Sequence, residues 1–297
     1  MIFVPNMNYL FNKFKNIKRK LLLSPFPGSY SSPIVDAVDI RSREAEIFSI
    51  NSKLIPGVDL NEEYQLTLLK EFERYYPEVP FKDVKNERRF YYDNGYYLYS
   101  DAIFLYSMIR YFHPKRIIEI GAGFSSAAML DSVDSLGYQD TVFTFIDPVP
   151  NRLKSLLRKG DYSRCTIIEK NLEHVDLSIV DQLAENDILF IDSSHVCKTG
   201  SDVNKIILEI LPKLNSKVLI HFHDVFFPFE YPKPWVLDWN SFGWNEDYFL
   251  RAFLMYNSDF KIVFFNTFLE HFYKQRFTAT MPDCLKHPGG SLWIQKR

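Results

Sequence analysis

Apolar and polar positions change their period partway along the chain. From Asn61 to Tyr75, Leu66, Leu69 and Phe72 recur on one face, Asn61 is placed to cap, and Glu62 and Glu63 fill the first turn. That is the pattern of an amphipathic helix, and Pro77 and Pro80 stop it. Further upstream, Leu10, Phe11, Phe14, Ile17 and Leu21 recur at near-helical spacing, and a Pro- and Ser-rich loop follows over 25–33. From Ser100 onward short apolar runs alternate with helical stretches. The pattern predicts strands at Arg116–Ile120, Thr141–Ile146, Cys165–Ile168, Ile188–Ile191, Val218–Ile220, 261–265 and Ser291–Gln295. Helices are expected at Asp101–Phe112 with Ser100 as cap, from Ser125, near Arg152–Arg158, and over 176–184, 202–214 and 246–256. Such alternation predicts an α/β fold, a doubly wound, mostly parallel seven-stranded sheet with helices on both faces. Residues 1–85 are expected to form an N-terminal helical extension or lid, and 86–297 the ligand-binding domain. In sheets of this type ligands bind beyond the carboxyl ends of the strands, so those ends carry the chemistry.

Composition narrows the class. The 297 residues are 46% hydrophobic and 16% aromatic, enough to bury a core and exclude general disorder. No apolar run approaches the roughly 20 residues that span a bilayer. Cys165, Cys197 and Cys284 form no CxxC pair, which points away from a disulfide scaffold and toward a reducing, cytoplasmic setting. The net charge of −2 is uneven. Lys13, Lys15, Lys18, Arg19 and Lys20 lie in the first 25 residues without an acid, so the remainder holds 30 basic against 37 acidic residues. A body of that sign is a poor match for nucleic acid. The basic segment 6–22 reads either as a helix packed on the body or as a peripheral contact with an anionic membrane.

The first strand of the alternating region runs into Glu119-Ile120-Gly121-Ala122-Gly123-Phe124-Ser125-Ser126. Two glycines permit a tight strand-to-helix turn, and Asp147 ends the next strand, where an acid can accept hydrogen bonds from a ribose diol. A dinucleotide fingerprint wants a third glycine where Ser126 stands. An acid at Glu119 suits a cationic amino group better than a pyrophosphate. Both departures favour S-adenosylmethionine over NAD.

On these residues the chain resembles the class I S-adenosylmethionine-dependent methyltransferases, through EIGAGFSS at 119–126, Asp147, and LFIDSSH at 189–195. The resemblance runs over about 95–297. It implies Glu119, Gly121, Gly123, Ser125, Ser126 and Asp147 as cofactor residues, with Asn171 or Leu172 beside the adenine. Asp192-Ser193-Ser194-His195 and His221-Phe222-His223-Asp224 end the fourth and fifth strands. Here the chain is similar to metal-dependent O-methyltransferases acting on catechols and sugars. That likeness implies Asp192, His223 and Asp224 as ligands of a divalent ion (Mg, Mn or another). His223 replaces the usual carboxylate and makes the ion's identity, and the need for it, open. A histidine near neutral pKa can take the proton of a hydroxyl nucleophile. His195 is the expected base, with His221 as alternative. HFHD also resembles the start of a zinc-hydrolase motif, but Val225 and Phe226 do not continue it.

Residues 226–244 hold eight aromatics where the overall composition predicts about three, and Pro228, Pro232 and Pro234 keep the segment irregular. It reads either as an acceptor wall, with Glu230, Tyr231 and Trp235 as contacts, or as a loop packed by its own rings. Phe90, Tyr91, Tyr92, Tyr96, Tyr97 and Tyr99 are placed to cover the same opening from the other side. The function expected is methyl transfer from S-adenosylmethionine to a hydroxyl of a sugar, glycan or other small metabolite. An NAD-dependent oxidoreductase and a non-catalytic cofactor-binding module are the alternatives, and the oligomeric state is not encoded in any of these patterns.

Overall fold

The computed structural model describes residue 26, residues 28–238 and residues 243–297. The segment 6–22, Trp239 and Phe242 lie outside the described residues. Two compact units are present: one runs to Ser49 and includes Pro232–Gly243, the other comprises Ile50–Tyr231 and Trp244–Arg297.

In the smaller unit, helix Ala37–Ser42 starts where the Asp36 carboxylate accepts from Val38 N. It buries no residue. Exposed ion pairs Arg41–Asp238 (3.3 Å) and Lys233–Glu44 (2.9 Å) link its segments, and contacts of that kind contribute little.

The larger unit is built on a seven-stranded sheet: β1 Arg116–Ile120, β2 Val142–Ile146, β3 Cys165–Ile168, β4 Ile188–Ile191, β5 Leu219–His223, β6 Phe260–Phe265 and β7 Ser291–Lys296. Their order is β3-β2-β1-β4-β5-β7-β6, parallel except for β7, which runs antiparallel to both neighbours. The central strands β4 and β5 are buried along their whole length, as expected when helices cover both faces. Helix Tyr99–Phe112 buries ten residues, and helix Glu62–Tyr75 sets Phe72 against Phe264 of β6 at 5.2 Å between ring centres. The parallel order places the ends of β1, β2, β4 and β5 along one edge, and its reversal between β1 and β4 opens the crevice there.

Three expected boundaries move for identifiable reasons. β5 extends to His223, because antiparallel pairing with β7 continues through His221–Trp293 and His223–Ser291. Ser100 does not cap; its hydroxyl is bonded to the buried Glu270, and the helix begins at Tyr99. The stretch 176–184 forms only a 3₁₀ segment, Leu177–Gln182, started by Asp176.

Polar groups inside the unit are held in networks. Asp187, buried at the start of β4, accepts from the amides of Lys115 and Arg116 ahead of β1 and from Ala184 N. Arg89 is buried, with Nε at 2.8 Å from Asp161 and Nη1 at 2.6 and 2.8 Å from Asp131 and Asp134. Asp131 also accepts from Phe90 N, which ties the segment before helix Tyr99–Phe112 to helix Phe124–Leu136. Removing one partner of such a network leaves buried charge uncompensated. Arg89→Leu is therefore expected to lower the unfolding free energy by about 3–5 kcal/mol in urea titrations. A loss below about 1 kcal/mol would show the network to be dispensable.

Candidate active site

The edge carrying the strand ends forms two openings that share Asp192, Ser193 and Ser194. The first, about 440 Å³, is lined by Gly121, Asp147, Asn171 and Leu172 among others. The second, about 430 Å³, has walls from Tyr96, Tyr97, Ala122–Ser125, Arg152, His195, His223, Asp224 and Trp244. Both are of a size that suits a small organic ligand.

The glycine turn sets their common floor. Gly121 adopts φ +79°, and a Cβ there would lie 2.0 Å from the Asp192 carbonyl oxygen. Only glycine lets the end of β1 approach the end of β4 this closely. The Asp192 amide donates to Ile120 O at 2.8 Å, and Gly121 N donates to Ile146 O at 2.9 Å, so the turn is tied to both neighbouring strands. Gly123 has a different reason: its backbone is extended, and a Cβ would press on the Arg152 side chain at 3.2 Å. Asp147 accepts from Ala122 N with one oxygen and from Val149 N with the other, while still lining the first opening.

Glu119, Ser125 and Ser126 act on one another. Both serine hydroxyls bond the Glu119 carboxyl, which has no exposed surface and lines neither opening. Ser126 Oγ also accepts from Gly123 N, closing the turn where a dinucleotide fold has a third glycine. Burial pushes the Glu119 carboxyl up to about 8; the serine bonds lower it, and Asp192 and Asp147 add repulsion.

His195 stands at the base of the second opening. Its Nδ1 lies 2.8 Å from Glu246 Oε2, and its Nε2 faces Asp192 Oδ1 at 3.4 Å and Asp224 Oδ2 at 3.8 Å. Burial works against charge on this ring, but the bonds to Asp192 and Glu246 and the nearby Asp224 raise its pKa well above the ordinary value. The backbone there is left-handed at φ +57°, a conformation that strains a non-glycine residue. Asp192, with 38% of its side chain exposed, is the acid the cleft presents to a ligand.

The expected site residues thus divide. Asp147, Asn171 and Gly121 gather at the first opening, and Gly123, Ser125, His195, His223 and Asp224 at the second, with Asp192 in both. His221 is not brought to either. The longer β5 places it mid-strand, stacked 3.9 Å from Phe190 and bonded at 3.0 Å to Ser291 Oγ, and burial lowers its pKa well below the ordinary value. Glu230 and Tyr231 also line neither opening; they bond Tyr248 and the Asp247 amide. Trp235 belongs to the smaller unit, on helix Lys233–Leu237. Within 226–244, Phe227 and Phe229 turn into the core against Phe265, and Trp244 is at the second opening. Asp192, His223 and Asp224 share the cleft, but among the described residues no three His, Cys, Asp or Glu side chains are placed to hold a metal ion. His195 Nε2 lies 3.4 Å from Asp192 and 3.8 Å from Asp224, and His223 Nε2 lies 3.6 Å from Asp224, so the cleft holds a mixed set of nitrogen and oxygen donors.

A model described as a methyltransferase domain matches residues 118–225, the stretch from β1 to the end of β5. An uncharacterized protein of Archaeoglobus fulgidus is 35% identical over 169 residues, covering 54% of this chain and 74% of that protein. The chain belongs to the class I S-adenosylmethionine-dependent methyltransferases. Among solved structures, SAH-bound Podospora anserina methyltransferase PaMTH1 is 17% identical, with 88% of this chain and 95% of that chain covered and a TM-score of 0.46. The O-methyltransferase TomG from Streptomyces achromogenes, in complex with SAM, is 14% identical over 88% and 96%, with a TM-score of 0.41. The methyltransferase is an enzyme, and the oxidoreductase alternative is not favoured. Among its described residues no helix is long and apolar enough to cross a membrane.

Glu246, Arg152 and Trp244 are site residues that no motif announces. Glu246 follows Asn245 and precedes Asp247, so in the sequence it reads as an ordinary acid in a first helical turn.

The buried Glu119 gives a test of the turn. Its carboxyl holds a proton in the folded protein up to about pH 8, whereas an unfolded one releases it near its ordinary 4.5. The contribution is full below about pH 4.5 and is lost as pH rises through about 8. In thermal melts across that window, the Tm of Glu119→Gln minus that of wild type should grow with pH. A constant difference would place the ionisation elsewhere.

Proposed function

We propose that the methyltransferase moves a methyl group from S-adenosylmethionine to a hydroxyl of a sugar or another small hydroxylated metabolite, with His195 as general base. One observation carries the reading: two openings meet at Asp192, and His195 Nε2 faces the meeting point. The first opening takes the nucleoside. Asp147 there has carboxylate oxygens suited to a ribose diol, and Asn171 and Leu172 flank the base. The second takes the acceptor, whose apolar ring faces find Tyr96, Phe124 and Trp244, rings of the kind that cover sugars and flat metabolites alike.

When bound, S-adenosylmethionine supplies an electrophilic methyl on a sulfonium centre. This chain's own part would be to take the acceptor's hydroxyl proton on His195 Nε2 as its oxygen receives the methyl group. Asp192 and Asp224 lie beside the nitrogen that becomes charged and offset the charge. Tyr97, almost wholly buried, shields one side from water, and the Trp244 ring, 4.3 Å from the imidazole, shields another.

Calorimetry should detect binding of S-adenosylmethionine to the wild type and at least about tenfold weaker binding to Asp147→Ala, the loss of roughly 1.5–3 kcal/mol of hydrogen bonding to a charged group. His195→Ala should keep that binding. Its release of S-adenosylhomocysteine with a panel of sugars and phenols should fall by about 10²–10⁴. Because the pKa of His195 is raised, wild-type kcat/KM should climb as pH increases above neutral, the range in which the ring loses its proton. Full turnover by His195→Ala would remove the base assignment, and absence of binding to wild type would remove the cofactor assignment.

A further inference from the structure

The loop 193–197 and the start of helix Glu246–Leu254 are more tightly joined than packing alone requires. Asn245 N and Glu246 N both donate to His195 O, at 3.0 and 3.3 Å. Cys197 N donates to Asn245 Oδ1 at 2.6 Å, and Asn245 Nδ2 donates back to Cys197 O. The Trp244 ring lies 4.3 Å from the His195 ring, tilted at 41°. This junction brings one buried carboxylate to His195. Glu246 is 1% exposed, and its carboxylate takes His195 Nδ1 at 2.8 Å and the Ser193 hydroxyl at 3.1 Å to each oxygen. Ser193 Oγ in turn accepts from His195 N at 3.0 Å, so a single hydroxyl links the carboxylate to the histidine's own backbone.

We infer that Glu246 is the positioning residue of the base: it fixes the ring orientation of His195 and the tautomer with hydrogen on Nδ1, leaving Nε2 as the nitrogen that meets the acceptor. The physical reasoning is short. An imidazole has two nitrogens, and which one carries the proton is set by the partner of the other. A carboxylate only accepts, so the nitrogen it holds must donate. Ring rotation by 180° would put a carbon where Nδ1 stands and break the Glu246 bond. It would also leave Glu246, buried and charged, with Ser193 alone as its donor. Glu246 lines neither opening; its effect passes entirely through His195.

This inference rests on His195 acting as the base, and the measurements separate the two. The first readout needs no acceptor. In protein with ¹⁵N-labelled histidine, the His195 Nδ1 proton should give a downfield resonance protected from exchange, absent in Glu246→Ala and in a His195→Ala control used for assignment. If the resonance persists in Glu246→Ala, or if Nε2 rather than Nδ1 keeps the proton at a pH high enough for the ring to be neutral, the inference is overturned. The second readout is turnover, followed as S-adenosylhomocysteine release with the panel of sugars and phenols. Glu246→Ala should lower kcat by at least about tenfold but by less than the 10²–10⁴ of His195→Ala, with the calorimetric affinity for S-adenosylmethionine unchanged. Glu246→Gln, which keeps the shape of the side chain, guards against a folding defect and should lie between Glu246→Ala and wild type. Wild-type kcat in Glu246→Ala, beside a disabled His195→Ala, sinks the positioning role alone; wild-type kcat in both removes the base assignment on which it depends.

Discussion

The contact between Gly121 and the carbonyl of Asp192 is the constraint from which the site follows. Parallel strands β1 and β4 are neighbours across the reversal in sheet order, and their ends must diverge for a crevice to exist. Here they part only after one close approach, at which no side chain can fit on Gly121. Because the Asp192 backbone is held there, its carboxylate emerges between the two openings and the chain turns directly into Ser193, Ser194 and His195. The first helix after the turn starts in turn from the same point, with Ser125 and Ser126 folded back onto Glu119. A single van der Waals limit thus sets the place of the two openings and of His195 together.

Charge in the cleft is arranged by burial as much as by pairing. Glu119 and Asp224 are both pushed above the ordinary carboxylate range by burial, whereas Asp192 is held below it: burial opposes this, but the bond from His195 and the proximity of His223 outweigh it. His221 and His223 lie on one face of the same strand, yet shift in opposite directions. His221 meets only rings, Ser291 and the charge of His223, so burial lowers it. His223 suffers the same burial but faces Asp224, Asp192 and Asp101, and the acids prevail. A residue's place two positions along a strand decides whether its imidazole is enclosed by the core or lines the cleft.

Much of the fold was legible before any coordinates. The alternation of buried strands and helices is a period-level signal, and β1, β3 and β4 begin and end where their apolar runs do. The glycine turn, Asp147, Asp192 and His195 were legible because each occupies a fixed place at a strand end, and sheet order alone brings strand ends together. Glu230, Tyr231 and His221 show where such reading stops. Aromatic density says nothing about which way a ring faces, and strand length depends on a partner, since β5 reaches His223 only by pairing with β7 from near the end of the chain.

The sequence by itself determined the order of elements, the glycine that permits the tight turn, and the acids at the strand ends, because these depend on local periodicity and local backbone freedom. Only the tertiary structure decided which buried carboxylate faces which imidazole. Glu246 stands 51 residues from His195, inside a helix start that any acid would suit. Nothing in the spacing of the chain measures that distance. The pairing exists because the strand-end loop and the helix end are folded against each other in a space from which water has been excluded, where each polar group must find a partner.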